Sequence, residues 1–203
     1  MSISPRPALT LAAIVAIIST LLIVMYNVTY VDTSGVLTDK QSAAAITIYG
    51  GSAEDYSVVP AEITDESGNV TGGWKKQLEG LADLSRIEKV IQKNDGSLAF
   101  EVIVKGYKDG FDIMVGVKDG AVAGVAVVSA GEETPGLGTK TNDPAFLSQF
   151  DGISGEARVV KQTPAADNEV QAVTSATFSS KGVAKAVNIA LAAYEQYMGG
   201  EQQ

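Results

Sequence analysis

The chain has 203 residues, with neither cysteine nor histidine, and its 24 acidic against 15 basic residues leave a formal charge of −9. The missing thiols and imidazoles exclude thiolate iron–sulfur sites, disulfides, ordinary haem ligation, His-based zinc and Ser-His-Asp triads. The scattered Lys and Arg make no basic face, which argues against nucleic acid, so any chemistry rests on carboxylates, hydroxyls, Lys, Tyr or a borrowed cofactor.

Residues 8–26, ALTLAAIVAIISTLLIVMY, carry no charge, and only Thr10, Ser19 and Thr20 are clearly polar. At ~1.5 Å per residue the run is long enough to cross a hydrocarbon core of ~30 Å, with residues 27–31 extending it. A cleaved signal peptide is the alternative. It calls for a shorter apolar region and a small-x-small cleavage site, whereas this run leaves through Tyr26 and Tyr30, which suit a membrane interface. The prediction is an uncleaved anchor: residues 1–31 form an N-terminal segment with a transmembrane helix at about 8–30, and residues 32–203 form one domain. Arg6 precedes the span without any acid, so the positive-inside rule orients the domain to the extracytoplasmic side.

Residues 34–49 read as a short helix running into a strand, and residues 54–73 as turn-rich, with Gly68-Asn69 and Gly72-Gly73 breaking any long element. Residues 74–93 read as helix, or as helix followed by strand. Residues 98–104, 111–117 and 121–129 are β-rich runs separated by Asp109-Gly110 and Asp119-Gly120, an antiparallel meander. Val159-Val160 adds a short strand. A helix then covers 179–198, with Val183, Val187, Ala190, Leu191, Tyr194 and Met198 along one side and Gly199-Gly200 ending it. Strands and helices alternate without βαβ regularity, so the fold class is α+β.

Two stretches carry candidate chemistry. Residues 173–180, VTSATFSS, crowd five hydroxyls at the mouth of the last helix. Helix N-termini leave four amides unpaired and are locally positive, so a phosphate is welcome there, with Ser175, Ser179 and Ser180 as extra donors and small Ala176 permitting close approach. N-capping accounts for one or two such hydroxyls and stands as the alternative. Residues 132–140, EETPGLGTK, follow the meander. Pro135 fixes one φ, while Gly136 and Gly138 permit unusual backbone angles and close approach to a flat ligand. A plain surface turn is the other reading.

Together, TSATFS and ETPGLG resemble the two hallmarks of the FMN-binding domain found in the G subunit of the Rnf complex and in the C subunit of the sodium-pumping NADH:quinone reductase. The flavinylation motif of that family runs Ser/Thr, Gly/Ser, Ala, Thr, any residue, Ser/Thr. The resemblance extends to the N-terminal span, the meander, residues 146–152 and the final helix, and the compact length is closer to the Rnf protein. It implies one extracytoplasmic FMN-binding domain on a single-pass anchor in the cell membrane. It implies FMN held by a phosphoester to the threonine after the alanine, here Thr177, installed by a separate flavin transferase that uses FAD. Thr174, Ser175, Ala176, Ser179 and Ser180 would surround the phosphate. Glu133, Thr134, Gly136, Leu137 and Gly138 would lie near the isoalloxazine ring. No metal is implied. The partners implied are the bilayer and the other subunits of an ion-translocating ferredoxin:NAD+ oxidoreductase, within which the chain is a redox subunit without a complete active site of its own. The quinone-reductase protein, and a cofactor-free anchored binding or scaffold domain, remain the alternatives.

Overall fold

The computed structural model of the protein describes residues 6–29, 35–131, 133–136 and 138–200. The chain divides into two units, Met1–Thr33 and Ser34–Gln203. The first holds helix α1 (Arg6–Thr29), 24 residues with no acid in its first turn and no base in its last. Its stretch Leu9–Tyr26 has a mean hydropathy of 2.5 and no buried residue, so by length and composition it can cross a membrane. Thr20 satisfies its own hydroxyl by donating to the Ala16 carbonyl at 2.8 Å, which removes a polar cost along the apolar surface.

The second unit is built on a five-stranded antiparallel sheet in the order β1-β4-β5-β6-β7. Its strands are β1 (Tyr56–Val59), β4 (Ile87–Lys93), β5 (Leu98–Val104), β6 (Phe111–Lys118) and β7 (Ala121–Ser129). A small hairpin, β2 (Ile63–Thr64) with β3 (Val70–Gly72), and a short helix, α3 (Trp74–Gln77), occupy the connection from β1 to β4. After β7 come a one-turn helix, α4 (Pro144–Leu147), and the parallel pair β8 (Arg158–Val160) and β9 (Glu169–Gln171). The last helix is α5 (Thr177–Gly200).

Period-two alternation along the strands decides which helix covers which face. Leu98, Phe100, Val102 and Val104 of β5, with Phe111, Ile113, Val115 and Val117 of β6, point to one side. There they pack with Val183, Ala186, Val187, Ala190 and Ala193 of α5. Ala99 and Met114 point to the other side and meet Ala44 and Ala45 of helix α2 (Asp39–Tyr49). The sheet is therefore sandwiched between α2 and α5. Helix α2 is fixed by a capping box, Thr38 with Gln41. It lies close on Gly116 and Gly124, paired across β6 and β7: a Cβ at Gly116 would collide with the Ile48 side chain.

Several expectations are refined. Residues 34–49 do not run into a strand, because Gly50 ends α2 at φ +67. The turn-rich segment 54–73 contains β1 and the β2–β3 hairpin. Within 74–93 the helix is a single turn, and residues 87–91 belong to strand β4. Asp119-Gly120 is a tight turn with φ +53 and +79, but β5 and β6 are joined by the longer loop 105–110. Val159 and Val160 do form a strand, paired with β9 outside the main sheet. Helix α5 begins two residues before the expected start and remains helical through Gly199 and Gly200. Its buried face is centred on Val183, Val187 and Ala190, with Ala186, Ala193 and Tyr197; Leu191 and Tyr194 are half-buried and Met198 lies exposed at the margin.

A buried acid pair lies on the α2 side of the sheet. Glu101 accepts from Gln41 Nε2 with both carboxylate oxygens, at 2.9 and 2.8 Å, and the Asp112 carboxyl lies beside it, its buried Oδ1 without a hydrogen-bond partner among the described residues. Burial, followed by the Glu101 charge, pushes Asp112 up to about 7 and outweighs the attraction of Lys40. Burial likewise raises Glu101, against the pull of Gln41 and Lys89, with Glu88 adding repulsion. A raised carboxyl holds its proton in the folded state when the unfolded chain has already released it. The associated stability is complete below the unfolded pKa near 4 and is lost as pH rises through about 7. Asp112→Asn supplies a permanent N–H donor to Glu101. It is expected to flatten this dependence and to stabilise the domain at pH 8 by about 1 kcal/mol, discounted for partial solvent screening, or ~2–4 °C in Tm. Thermal melts of the two proteins between pH 4 and pH 8 check it.

Candidate functional site

The chain brings three segments together at the start of α5, and one carboxylate joins them. Glu133 is 5 % exposed. Its Oε1 accepts from the backbone amides of Tyr107 at 2.7 Å and Lys108 at 3.1 Å, in the loop between β5 and β6. Its Oε2 accepts from Ser179 Oγ at 2.5 Å, in the first turn of α5. Side-chain-free positions make room for it. A Cβ at Gly106 would collide with Oε1, and one at Gly138 would collide with Oε2. Gly182, one turn along α5, lets the helix rest on Gly106 and the Lys105 carbonyl, both 3.1 Å from a built Cβ. The expected latitude for a flat ligand at Gly138 is thus taken up by the protein's own glutamate.

The five hydroxyls of residues 173–180 separate into two groups. Ser179 and Ser180 are fully buried and internally used. Ser180 Oγ donates to the Ala176 carbonyl at 2.9 Å and accepts from the Val173 amide at 3.0 Å, so it ties the helix start to the preceding strand connection. Thr174 and Ser175 are exposed and Thr177 is half-buried, and among the described residues none of these three hydroxyls has a hydrogen-bond partner. N-capping therefore does not account for them. Ala176 occupies the cap position and has no side chain to offer. The first intrahelical bond is Ser180 N to Ala176 O, which leaves the amides of Thr177, Phe178 and Ser179 without an acceptor among the described residues. No acid stands in the first turn of α5. Three amides without an acceptor among the described residues, the positive end of a 24-residue helix and the Thr177 hydroxyl form a donor set that fits a phosphate.

Ser175 adopts φ +66, a left-handed conformation that an L-residue other than glycine takes with strain. This angle favours glycine at the position, so the serine here is held with strain. Ser175→Gly is expected to raise stability by about 0.5–1 kcal/mol without displacing Thr177. Urea unfolding of the two forms measures it.

The loop 133–136 and 138–140 lies beside this helix start through Glu133. Thr134 and Gly136 are exposed, Gly136 at φ +75 with its amide donating to Thr139 Oγ1 at 2.9 Å; Gly138 is buried, and Thr141 Oγ1 donates to its carbonyl at 2.6 Å. Leu137 lies outside the described residues. The structure thus brings together Glu133, Gly138, Ser179 and the helix start, and it shows Thr134 and Gly136 facing solvent. Sequence reasoning missed the loop 105–110, whose KGYKDG composition reads only as a turn, and it missed Gly182. Two grooves, of about 570 Å³ between α2 and α4 and about 610 Å³ beside the C-terminal half of α5, contain no residue of either motif.

A model of the FMN-binding domain family matches residues 106–192, a span that holds all three converging segments. The chain is 30% identical over 151 residues to the G subunit of the Na(+)-translocating ferredoxin:NAD(+) oxidoreductase complex of Acetobacterium woodii, covering 70% of this chain and 69% of that protein. It is 34% identical over 113 residues to the G subunit of the proton-translocating ferredoxin:NAD(+) oxidoreductase complex of Clostridium ljungdahlii, covering 54% of this chain and 60% of that protein. Among solved structures, NqrC of Shewanella oneidensis aligns with a TM-score of 0.46 at 22% identity, over 57% of this chain and 61% of that one. The C subunit of the Na(+)-translocating NADH-quinone reductase of Parabacteroides distasonis aligns with a TM-score of 0.48 at 21% identity, over 70% of this chain and 78% of that one.

Proposed function

Because this chain belongs to the FMN-binding domain family that includes the G subunit of the ferredoxin:NAD+ oxidoreductase (Rnf) complex, we propose that it is the FMN-carrying electron-transfer subunit of such a complex. The observation that carries the finer reading is the Thr177 hydroxyl and three amides at the positive end of α5 that have no partner among the described residues. We assign Thr177 as the point of covalent attachment, through a phosphoester made by a flavin transferase. Thr177 N–H, Phe178 N–H and Ser179 N–H would hold the phosphate, with the exposed Ser175 and Thr174 hydroxyls at its rim. When bound, FMN would supply the reversible ground-state electron transfer that this reading requires.

What the chain's own residues do is bind and position. Ser180 and Glu133 fix the first turn of α5 so that the Thr177 hydroxyl stands clear of internal partners. Helix α1 would anchor the domain in the cell membrane as a single pass, with the domain on the extracytoplasmic side and the other subunits of the complex as neighbours. Ferredoxin and NAD+ sites would belong to those subunits. Helix α1 carries no charged residue within Leu9–Tyr26, so an ion path would need other helices too.

The test is the intact mass of the full-length protein, co-expressed with a flavin transferase and taken from membranes, followed by peptide mapping. The expected result is an increase of one FMN less water on the peptide that contains Thr177, with flavin fluorescence in the gel. A bare polypeptide mass under these conditions overturns the attachment reading.

A further inference from the structure

Aromatic side chains in the globular unit are covered, with two exceptions. Trp74, Phe100, Phe111, Phe146, Phe150, Tyr56 and Tyr197 are buried. Tyr49 and Tyr194 are half-buried. Tyr107 is 59 % exposed and Phe178 is 69 % exposed. The two are 71 residues apart in sequence, yet both belong to segments that Glu133 ties together. The Tyr107 amide donates to Oε1 of that carboxylate, and Ser179, the residue after Phe178, donates to Oε2. The close seating of Gly182 on Gly106 holds the same two segments together a second time. An exposed aromatic ring is ordinary; two on adjoining segments of a domain whose other aromatic rings are buried or half-buried offer a surface for a flat, apolar ligand.

We infer that Tyr107 and Phe178 are the aromatic contacts of the isoalloxazine ring, and that the loop 105–110 is a third wall of the flavin site beside the two sequence motifs. The inference rests on the attachment of FMN at Thr177 proposed above. Phe178 follows Thr177 directly, so an apolar ring stands next to the anchored phosphate. Tyr107 comes from the neighbouring loop with its backbone held and its ring free. Stacking on the ring shields one face from water, and a tyrosine in contact also quenches flavin fluorescence by donating an electron to the excited ring, returned on decay. Glu133 acts here as a positioning residue, through the Tyr107 amide.

The experiment uses the full chain co-expressed with a flavin transferase, and reads fluorescence per covalently bound flavin together with its quenching by iodide. Tyr107→Leu is expected to raise the fluorescence of each covalently bound flavin several-fold. Phe178→Leu is expected to load and to increase iodide quenching about twofold, as the ring gains exposure. Unchanged fluorescence and quenching in both loaded variants overturn the inference and leave the attachment reading intact. Absence of FMN from the unmutated chain overturns both. Should Tyr107→Leu fail to load, Tyr107→Phe decides: restored loading supports a ring contact, and continued failure overturns it. Unchanged flavin spectra with loss of co-purifying subunits would instead identify the aromatic pair as a protein-docking surface, and would also overturn it.

Discussion

Thr177→Val yields a folded protein that carries no covalent flavin. Valine keeps the β-branched shape of threonine and removes only the hydroxyl, which has no internal partner among the described residues. Its loss exposes no orphaned group, so the change in stability is expected to stay within about 0.5 kcal/mol, or ~1–2 °C in Tm. The chemical effect is complete, because a phosphoester needs an oxygen and the valine side chain has none. Intact mass and in-gel fluorescence read the flavin, and a thermal melt reads the fold. Thr174 and Ser175 are the other unpaired hydroxyls in the motif, so Thr174→Val and Ser175→Ala serve as controls that keep the label. Flavin retained in Thr177→Val would move the acceptor to one of them.

Glu133→Ala has the largest expected effect on stability. It strands the Tyr107 and Lys108 amides and the Ser179 hydroxyl, and it leaves a void faced by Gly106 and Gly138, which have no side chains to fill it. Bonds to a charged acceptor contribute about 1.5–3 kcal/mol each, although part of this is recovered as the loop opens to water. A net loss of about 3–4 kcal/mol follows, corresponding to ~6–15 °C in Tm. Glu133→Gln keeps the size and one acceptor oxygen, so its loss should be about half as large. A loss below about 1 kcal/mol for Glu133→Ala would show that the three segments stay together without the carboxylate.

The sequence made the meander legible because three β-rich runs follow one another with Asp-Gly breaks between them, of which Asp119-Gly120 is a tight turn, and α5 because its apolar residues recur at helical spacing. The sandwiching of the sheet was less accessible. Ala43, Ala44 and Ala45 of α2 carry little hydrophobic contrast, and the close approach at Gly116 and Gly124 depends on register across two strands. The site was half legible. The hydroxyl motif marked the helix start, but spacing alone did not tell Ser179 and Ser180, which are buried and bonded, from Thr174, Ser175 and Thr177, whose hydroxyls have no partner among the described residues. Glu133 was expected beside a ring, and the structure shows it occupied by protein donors. Its partners lie 26 and 46 residues away, a separation that no local pattern encodes.

That separation bears on the order of events in the life of the protein. The hexapeptide TSATFS exists as soon as the chain is made, but its presentation does not. In the folded domain the turn that carries Thr177 is seated where the loop after β5, the segment after β7 and the start of α5 meet at one carboxylate. An enzyme that needs this shape would pass over nascent or misfolded copies and mark only those whose β meander is complete. A bound yellow chromophore would then certify maturation, and the ratio of coloured to colourless polypeptide in a membrane would count how many copies had finished folding.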